Sequence, residues 1–412
     1  MIDLIVIGAG SAGLAAAKRA AQAGKKVVLV ENDTIGGTCV SYGCVPKKVW
    51  HAISLAKHQL DVAKENGWDI SVKGFDWQNT QQRLSQFVTG LNKRHYEKCL
   101  KLGVEVIRGT ANLVDPQMVE VNGKKIATKH ILIAVGAKAE RLEIPGSDFC
   151  DTSYEFFSWD KRPKSVIIWG GGYIAVELGS ILNALGAKVH IVIRKTSILN
   201  GFDHDMCDFL QKRYIERGIE IHKENSIVAI TKNKQQLNVE LTNGLNITVN
   251  KVIQALGRKP NTDQLNCDEI GIARSKSKAI IVNDSFLTNI PTISAIGDCI
   301  DHVQLTPVAI AQGRQWVDAF YKNTSFPVDY RHIPTAVFSH PEAASIGFTE
   351  KEALEKFKKV QSKILTFNPL TLALTNASKE PVFMKLIFEG DNETVIGIHI
   401  VADAAAEMIQ SL

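Results

Sequence analysis

One pattern of apolar and polar positions occurs twice at long range: an apolar strand, a glycine turn, then a helix of small residues. The first copy is Leu4-Ile5-Val6-Ile7, the turn Gly8 to Gly13, an alanine-rich helix to about Gly24 and a strand from Lys26 to Glu31. The second runs from Ser165 to Trp169, turns at Gly170-Gly171-Gly172, continues as a helix to about Gly186 and ends in a strand from Lys188 to Arg194. Each copy predicts a βαβ half-unit. Between them, Trp50 to Leu102 has the spacing of amphipathic helices, and Val104 to Ala137 reads as short strands ending in the run Ile131 to Gly136. Pro145-Gly146 punctuates the chain. Strands at Leu237–Leu241 and Lys251–Ala255 lead to Gly257-Arg258-Lys259-Pro260-Asn261, a buried strand ends at Ala295-Ile296-Gly297-Asp298, and 332–412 reads as a separate α+β segment.

Composition narrows the class. A chain of 412 residues predicts two to four structural units. Hydrophobic residues at 45%, charged residues at 22% and a mean hydropathy of −0.02 are those of a globular protein. The net charge of +5 is scattered, with no basic block, so no nucleic-acid partner is expected. The apolar opening Leu4–Ala17 lacks a basic leader and contains glycines, so it is expected to be a strand and a turn rather than a signal peptide, and the glycines and Glu177 within Ser165–Leu182 argue against a membrane span. Seven cysteines, mostly unclustered, suggest a reducing cytoplasm rather than a disulfide scaffold. No metal is expected.

The glycine turns carry the first chemistry. Gly8-x-Gly10-x-x-Gly13 follows a strand and opens a helix, so backbone N–H groups and the helix N-terminus can hold a pyrophosphate. Glu31, 23 residues after Gly8, is placed to accept hydrogen bonds from ribose hydroxyls. The same count from Gly170 lands on Ile193, with Arg194-Lys195 next, cations that suit a 2′-phosphate. Two such sites imply two dinucleotides, most simply FAD and NADP. The expected fold class is therefore α/β: two Rossmann-like dinucleotide-binding domains (1–142 and 143–260), a central segment (261–331) returning to the first, and an α+β interface domain (332–412).

Cys39 and Cys44 form the one close cysteine pair. Five residues along an ideal helix separate Cα atoms by roughly 8.6 Å, against about 4.4–6.8 Å for a disulfide. A bridge therefore requires irregular backbone, for which Gly43 and Pro46 provide. Spacing alone leaves a bridge and two buried free thiols equally open.

The run Gly36-Gly37-Thr38-Cys39 to Cys44-Val45-Pro46-Lys47-Lys48 resembles the active-site signature of the flavoprotein disulfide reductases, and Pro46-Lys47-Lys48 is most similar to the glutathione-directed branch. The resemblance extends through Gly172-Tyr173-Ile174-Ala175-Val176-Glu177, Gly257-Arg258, Gly297-Asp298, Leu305-Thr306-Pro307-Val308-Ala309 and Ile333 to Pro341, and so spans the chain. It implies a redox disulfide in which Cys44 faces the flavin and Cys39 attacks substrate. It also implies that Lys47 pairs with Glu177, that Tyr173 covers the flavin, and that Asp298 and the helix starting at Thr306 serve FAD. Ser11, Gly37 and Thr38 join the FAD site; Gly170, Gly172, Ile174 and Gly257 join the NADP site. Ser11, Lys18 and Tyr96 match substrate positions, with Lys18 standing where the family has arginine and Lys379 the nearest cation to a second, absent arginine. Asn200 replaces another arginine of the NADP site. The expected activity is NADPH-dependent reduction of a small disulfide by a homodimer. The family's C-terminal His-Pro and Glu segment has no counterpart before Leu412, so slow turnover, or electron transfer to artificial acceptors alone, is the alternative expectation, as is a related disulfide substrate such as trypanothione or a modified glutathione.

Overall fold

The computed structural model describes residues 1–324, 328–330, 332–375 and 380–411. In chain order the elements are β1 (Ile2–Ile7), α1 (Ser11–Gln22), β2 (Val27–Glu31), α2 (Gly37–Ser41), α3 (Cys44–Glu65), α4 (Trp77–Lys101), β3 (Glu105–Arg108), β4 (Ala111–Asp115), β5 (Met118–Val121), β6 (Lys124–Ile133) and β7 (Ala137–Ala139). There follow α5 (Ser153–Phe156), β8 (Ser165–Trp169), α6 (Tyr173–Ala184), β9 (Lys188–Val192), α7 (His204–Glu216), β10 (Glu220–His222), β11 (Ile227–Asn233), β12 (Gln236–Leu241), β13 (Asn246–Val249) and β14 (Lys251–Gln254). The remainder is β15 (Arg258–Pro260), β16 (Ile293–Ala295), α8 (Thr306–Lys322), β17 (Thr335–Val337), β18 (Glu342–Gly347), α9 (Glu350–Lys356), β19 (Val360–Phe367), β20 (Val382–Glu389), β21 (Thr394–Ala402) and α10 (Ala405–Met408).

These elements form two compact units, one of residues 1–46, 82–140 and 258–330, the other of 47–81, 141–257 and 331–412. The first is built on a seven-stranded sheet of order β3-β2-β1-β6-β5-β4, with β16 also pairing with β6. β1 runs parallel to both β2 and β6, and its Leu4, Ile5 and Val6 are wholly buried, as a strand covered on both faces requires. Near its start, β6 pairs antiparallel with β5 through Lys124–Ala127; beyond that, it pairs parallel with β1, and Ile131–Ile133 also take β16.

The second unit contains the parallel sheet β10-β9-β8-β14, the antiparallel sheet β11-β12-β13 and the antiparallel sheet β17-β18-β21-β20-β19. Lys385 of β20, 1% exposed, ties this unit's elements together through Asp203, which caps α7, and Glu350, the first residue of α9. Burial opposes its charge, but the surrounding carboxylates outweigh that and raise its affinity for the proton. The helical stretch expected from Trp50 to Leu102 is two helices, the first ending at Glu65 just ahead of Gly67, whose φ of +95° glycine adopts without steric cost. The strand expected to reach Arg194 stops at Val192, leaving Arg194 and Lys195 exposed in the following turn.

Candidate active site

In the first unit the three glycines of the opening turn do three different jobs. Gly8 has a φ of +104°, and a Cβ there would lie 2.4 Å from the Ala134 carbonyl oxygen. A Cβ on Gly13 would lie 1.9 Å from the Gly8 carbonyl oxygen, so its absence lets α1 pack against the turn. Gly10 meets nothing within 4 Å: its missing side chain leaves open the approach to the N-terminus of α1, where no side chain caps the helix N–H groups. Gly37, at φ +62°, crosses so closely that a Cβ would sit 2.7 Å from the Gly10 Cα. Glu31 ends β2 buried, its carboxylate accepting from the N–H of Ala9 at 2.6 Å and of Asp33 at 2.8 Å. Two of its lone-pair directions are thus spent on positioning the turn and the others remain for ribose hydroxyls. Burial pushes the Asp298 carboxyl above the usual carboxylate range, with Arg258 opposing. An open glycine cradle, an uncapped helix and a positioned carboxylate fit FAD.

The cysteines belong to the same unit. α2 ends at Ser41, Tyr42 leaves helical geometry with φ −136° and ψ 17°, and α3 begins at Cys44, so the helix is broken between the two sulfurs as the spacing requires. A Cβ on Gly43 would be 3.0 Å from the Thr38 carbonyl oxygen, and Pro46 falls in the first turn of α3, where its missing N–H costs nothing. Both cysteines are thiols here and hydrogen-bond to each other. The Cys44 Sγ lies 3.5 Å from the Thr306 hydroxyl, and Cys39 is also hydrogen-bonded by Thr306 and Ser11. The hydrogen bond from Cys44, burial and the charge on Cys44 push the Cys39 thiol far up, with the two hydroxyls pulling the other way.

Four of the expected positions, Cys39, Cys44, Ser11 and Thr306, thus fall on one sulfur site, although Ser11 and Thr306 were expected to face substrate and cofactor. Lys18, farther along α1, lies 3.2 Å from the His95 Nδ1, the residue before Tyr96 on α4. Burial lowers the Lys18 affinity for protons, and burial and Lys18 together keep His95 neutral below its ordinary range. Tyr96 is 38% exposed. Lys379 lies outside the described residues.

The second unit repeats the turn. Gly170 has a φ of +130° and a Cβ there would lie 2.1 Å from the Ala255 carbonyl oxygen, while Gly172, before the uncapped α6, meets nothing within 4 Å. Ala175 stands where the third glycine would be, fully buried, and Ile174 lies on the first turn of α6. Arg194 and Lys195 are exposed beyond β9, Asn200 is exposed too, and Gly257 has a φ of +131°. These features fit a dinucleotide with an added phosphate. Tyr173 is 46% exposed at the start of α6. Lys47 and Glu177 form a buried ion pair at 2.7 Å. Phe338 was absent from the sequence-based site, yet its N–H donates to the same Glu177 oxygen at 2.9 Å and its ring lies 3.8 Å from the Lys47 Nζ. The only signal for it was its place in a family-like run, 161 residues from Glu177.

Comparison with known proteins agrees with this arrangement. Residues 2–313 match the pyridine nucleotide-disulphide oxidoreductase family and residues 333–412 its dimerisation domain. Glutathione reductase of Nostoc sp. is 37% identical over all of this chain and 92% of its own length. Glutathione reductases of Schizosaccharomyces pombe, at 36%, and Burkholderia cepacia, at 34%, also align with the whole chain, over 92% and 91% of their lengths. The chain belongs to the pyridine nucleotide-disulphide oxidoreductase family and is, within it, an FAD-dependent enzyme that uses NADPH to reduce a disulfide.

Proposed function

We propose that the disulfide is oxidised glutathione and that Cys39 and Cys44 carry the exchange. The observation that supports this most is the convergence of both sulfurs with the Ser11 and Thr306 hydroxyls at two helix N-termini, in a chain that aligns over its whole length with glutathione reductases of other organisms. Bound FAD supplies two-electron transfer between NADPH and sulfur. In the reduced pair the hydrogen bond from Cys44, burial and the charge on Cys44 all favour a proton on Cys39. Cys39 sulfur attacks the substrate disulfide, one glutathione leaves with that proton, and Cys44 then attacks Cys39 to expel the second and restore the bridge. Ser11 and Thr306 position Cys39. Lys18 and Tyr96 are the proposed substrate contacts, Lys47, Glu177 and Tyr173 the flavin-side residues, and Arg194 with Lys195 the phosphate contacts. We further propose that function divides at 142/143, 260/261 and 331/332, that 332–412 forms a homodimer, and that the enzyme works in a reducing cytoplasm. Among the described residues no helix is long and apolar enough to cross a membrane.

The test is NADPH oxidation with and without oxidised glutathione. The glutathione-dependent rate should fall about a thousandfold or more in Cys39→Ser, while NADPH still reduces an artificial acceptor. In that variant, Cys44 cannot bridge, and a thiolate-to-flavin charge-transfer band should appear without reductant; Cys44→Ser should lack it. A rate indifferent to oxidised glutathione would remove the substrate assignment.

A further inference from the structure

A set of metal-ligating side chains lies on the second unit's parallel sheet, apart from every residue used above. β9 and β10 pair in register with Glu220 opposite His190 and His222 opposite Val192, so the two-residue alternation of strands places Lys188, His190, Glu220 and His222 on one face. His190 is 4% exposed, while Glu220 lies exposed on β10, at the end of its sheet's strand order. The His190 Nδ1 is 3.2 Å from the His222 Nε2 and 3.2 Å from the Glu220 Oε2. One ligand atom from each of the three residues lies within 4.8 Å of the others.

Two nitrogens bound to a tetrahedral zinc at about 2.0–2.1 Å stand about 3.3 Å apart, and a nitrogen and a carboxylate oxygen nearly the same. Both measured separations match that edge. Lys188 holds the other carboxylate oxygen, Oε1, at 2.9 Å, which fixes Glu220 while leaving Oε2 turned to the histidines. A second grouping, His58, His340 and Glu380, has no such freedom: the Arg217 guanidinium donates to the His340 Nδ1 and to Glu380, both at 2.6 Å, and already supplies the cation.

From this geometry we propose that His190, His222 and Glu220 bind a divalent first-row transition metal of the zinc class, with its remaining position open to water. The chemistry is two neutral imidazoles and one carboxylate, a borderline donor set that suits zinc, cobalt or nickel and not calcium or magnesium. Bound there, the metal bridges the last two strands of the sheet. The sequence gives no spacing signal for it, since the two histidines are 32 residues apart and meet only through strand pairing.

Cobalt(II) tests the proposal in the oxidised, tag-free full chain, whose bridged active-site cysteines cannot compete. One equivalent should bind with the visible absorption of a tetrahedral nitrogen–oxygen site and no thiolate charge-transfer band, and zinc should displace it. His222→Gln should weaken binding at least about tenfold, and so should Glu220→Gln, which alters only an exposed side chain; His58→Gln should leave it unchanged. A thiolate charge-transfer band, the absence of a tetrahedral spectrum, or undiminished binding in both His222→Gln and Glu220→Gln would each overturn it.

Discussion

Of the glycines in the opening turn, one faces open space and another is pressed against backbone, and this separates binding from folding at the level of single residues. Gly10→Ala adds a methyl group that meets no protein atom within 4 Å. It should leave the unfolding midpoint of the FAD-free chain unchanged while weakening FAD binding, because the methyl occupies the approach to the α1 N-terminus. Gly13→Ala places its methyl 1.9 Å from the Gly8 carbonyl oxygen and should lower that midpoint itself, by an overpacking cost of about 1–3 kcal/mol. Denaturant unfolding of both apoproteins beside a flavin titration checks the pair, and equal midpoints would defeat the distinction. Positions such as Gly8, Gly10 and Glu31 were legible in sequence because the glycine spacing and the carboxylate 23 residues after Gly8 fall within one short stretch of chain. The hydroxyl of Thr306 was not, since it reaches Cys44 from 262 residues away.

Apolar runs located the strands, but the polar residues inside them had no sequence rationale. His130 on β6 is 3% exposed and sits 3.0 Å from the Ser294 hydroxyl, just outside β16's neighbouring run of apolar pairs. Burial lowers its pKa to about 4. In the unfolded chain the imidazole takes a proton near its ordinary value of about 6.5, but in the folded chain it resists down to about 4. Acidification therefore favours unfolding: stability carried by neutral His130 is complete above about pH 6.5 and lost as pH falls toward 4, about 3 kcal/mol in all. His130→Gln should flatten this slope in urea unfolding at pH 7 and pH 5. An identical slope would show that other groups set the acid response. The pairing of β16 with β6 was likewise hidden, because strand order across 162 residues (Ile131 with Ile293) is fixed by the crossing and not by any local period.

At the scale of the molecule, the sequence showed two similar half-units and a change of character near 332, but not how the segments regroup. The two compact units each draw on three separate stretches of chain. Contact among 1–46, 82–140 and 258–330 follows from residues such as Ile293 and Ala295, whose role appears only once β6 is there to pair with them. This regrouping sets a timetable for synthesis. As the chain leaves the ribosome, the parallel edge of β6 at Ile131–Ile133 stays without its partner until some 160 further residues have been made, and the other unit waits for 331–412. A growing chain therefore exposes an apolar strand edge while those residues are being made, a condition that invites association with other nascent chains. A fragment ending at Gly257 should be aggregation-prone and unable to retain FAD, whereas adding a separate 258–330 peptide should restore part of the flavin binding. A soluble, yellow 1–257 fragment would mean that the sheet closes without its last strand.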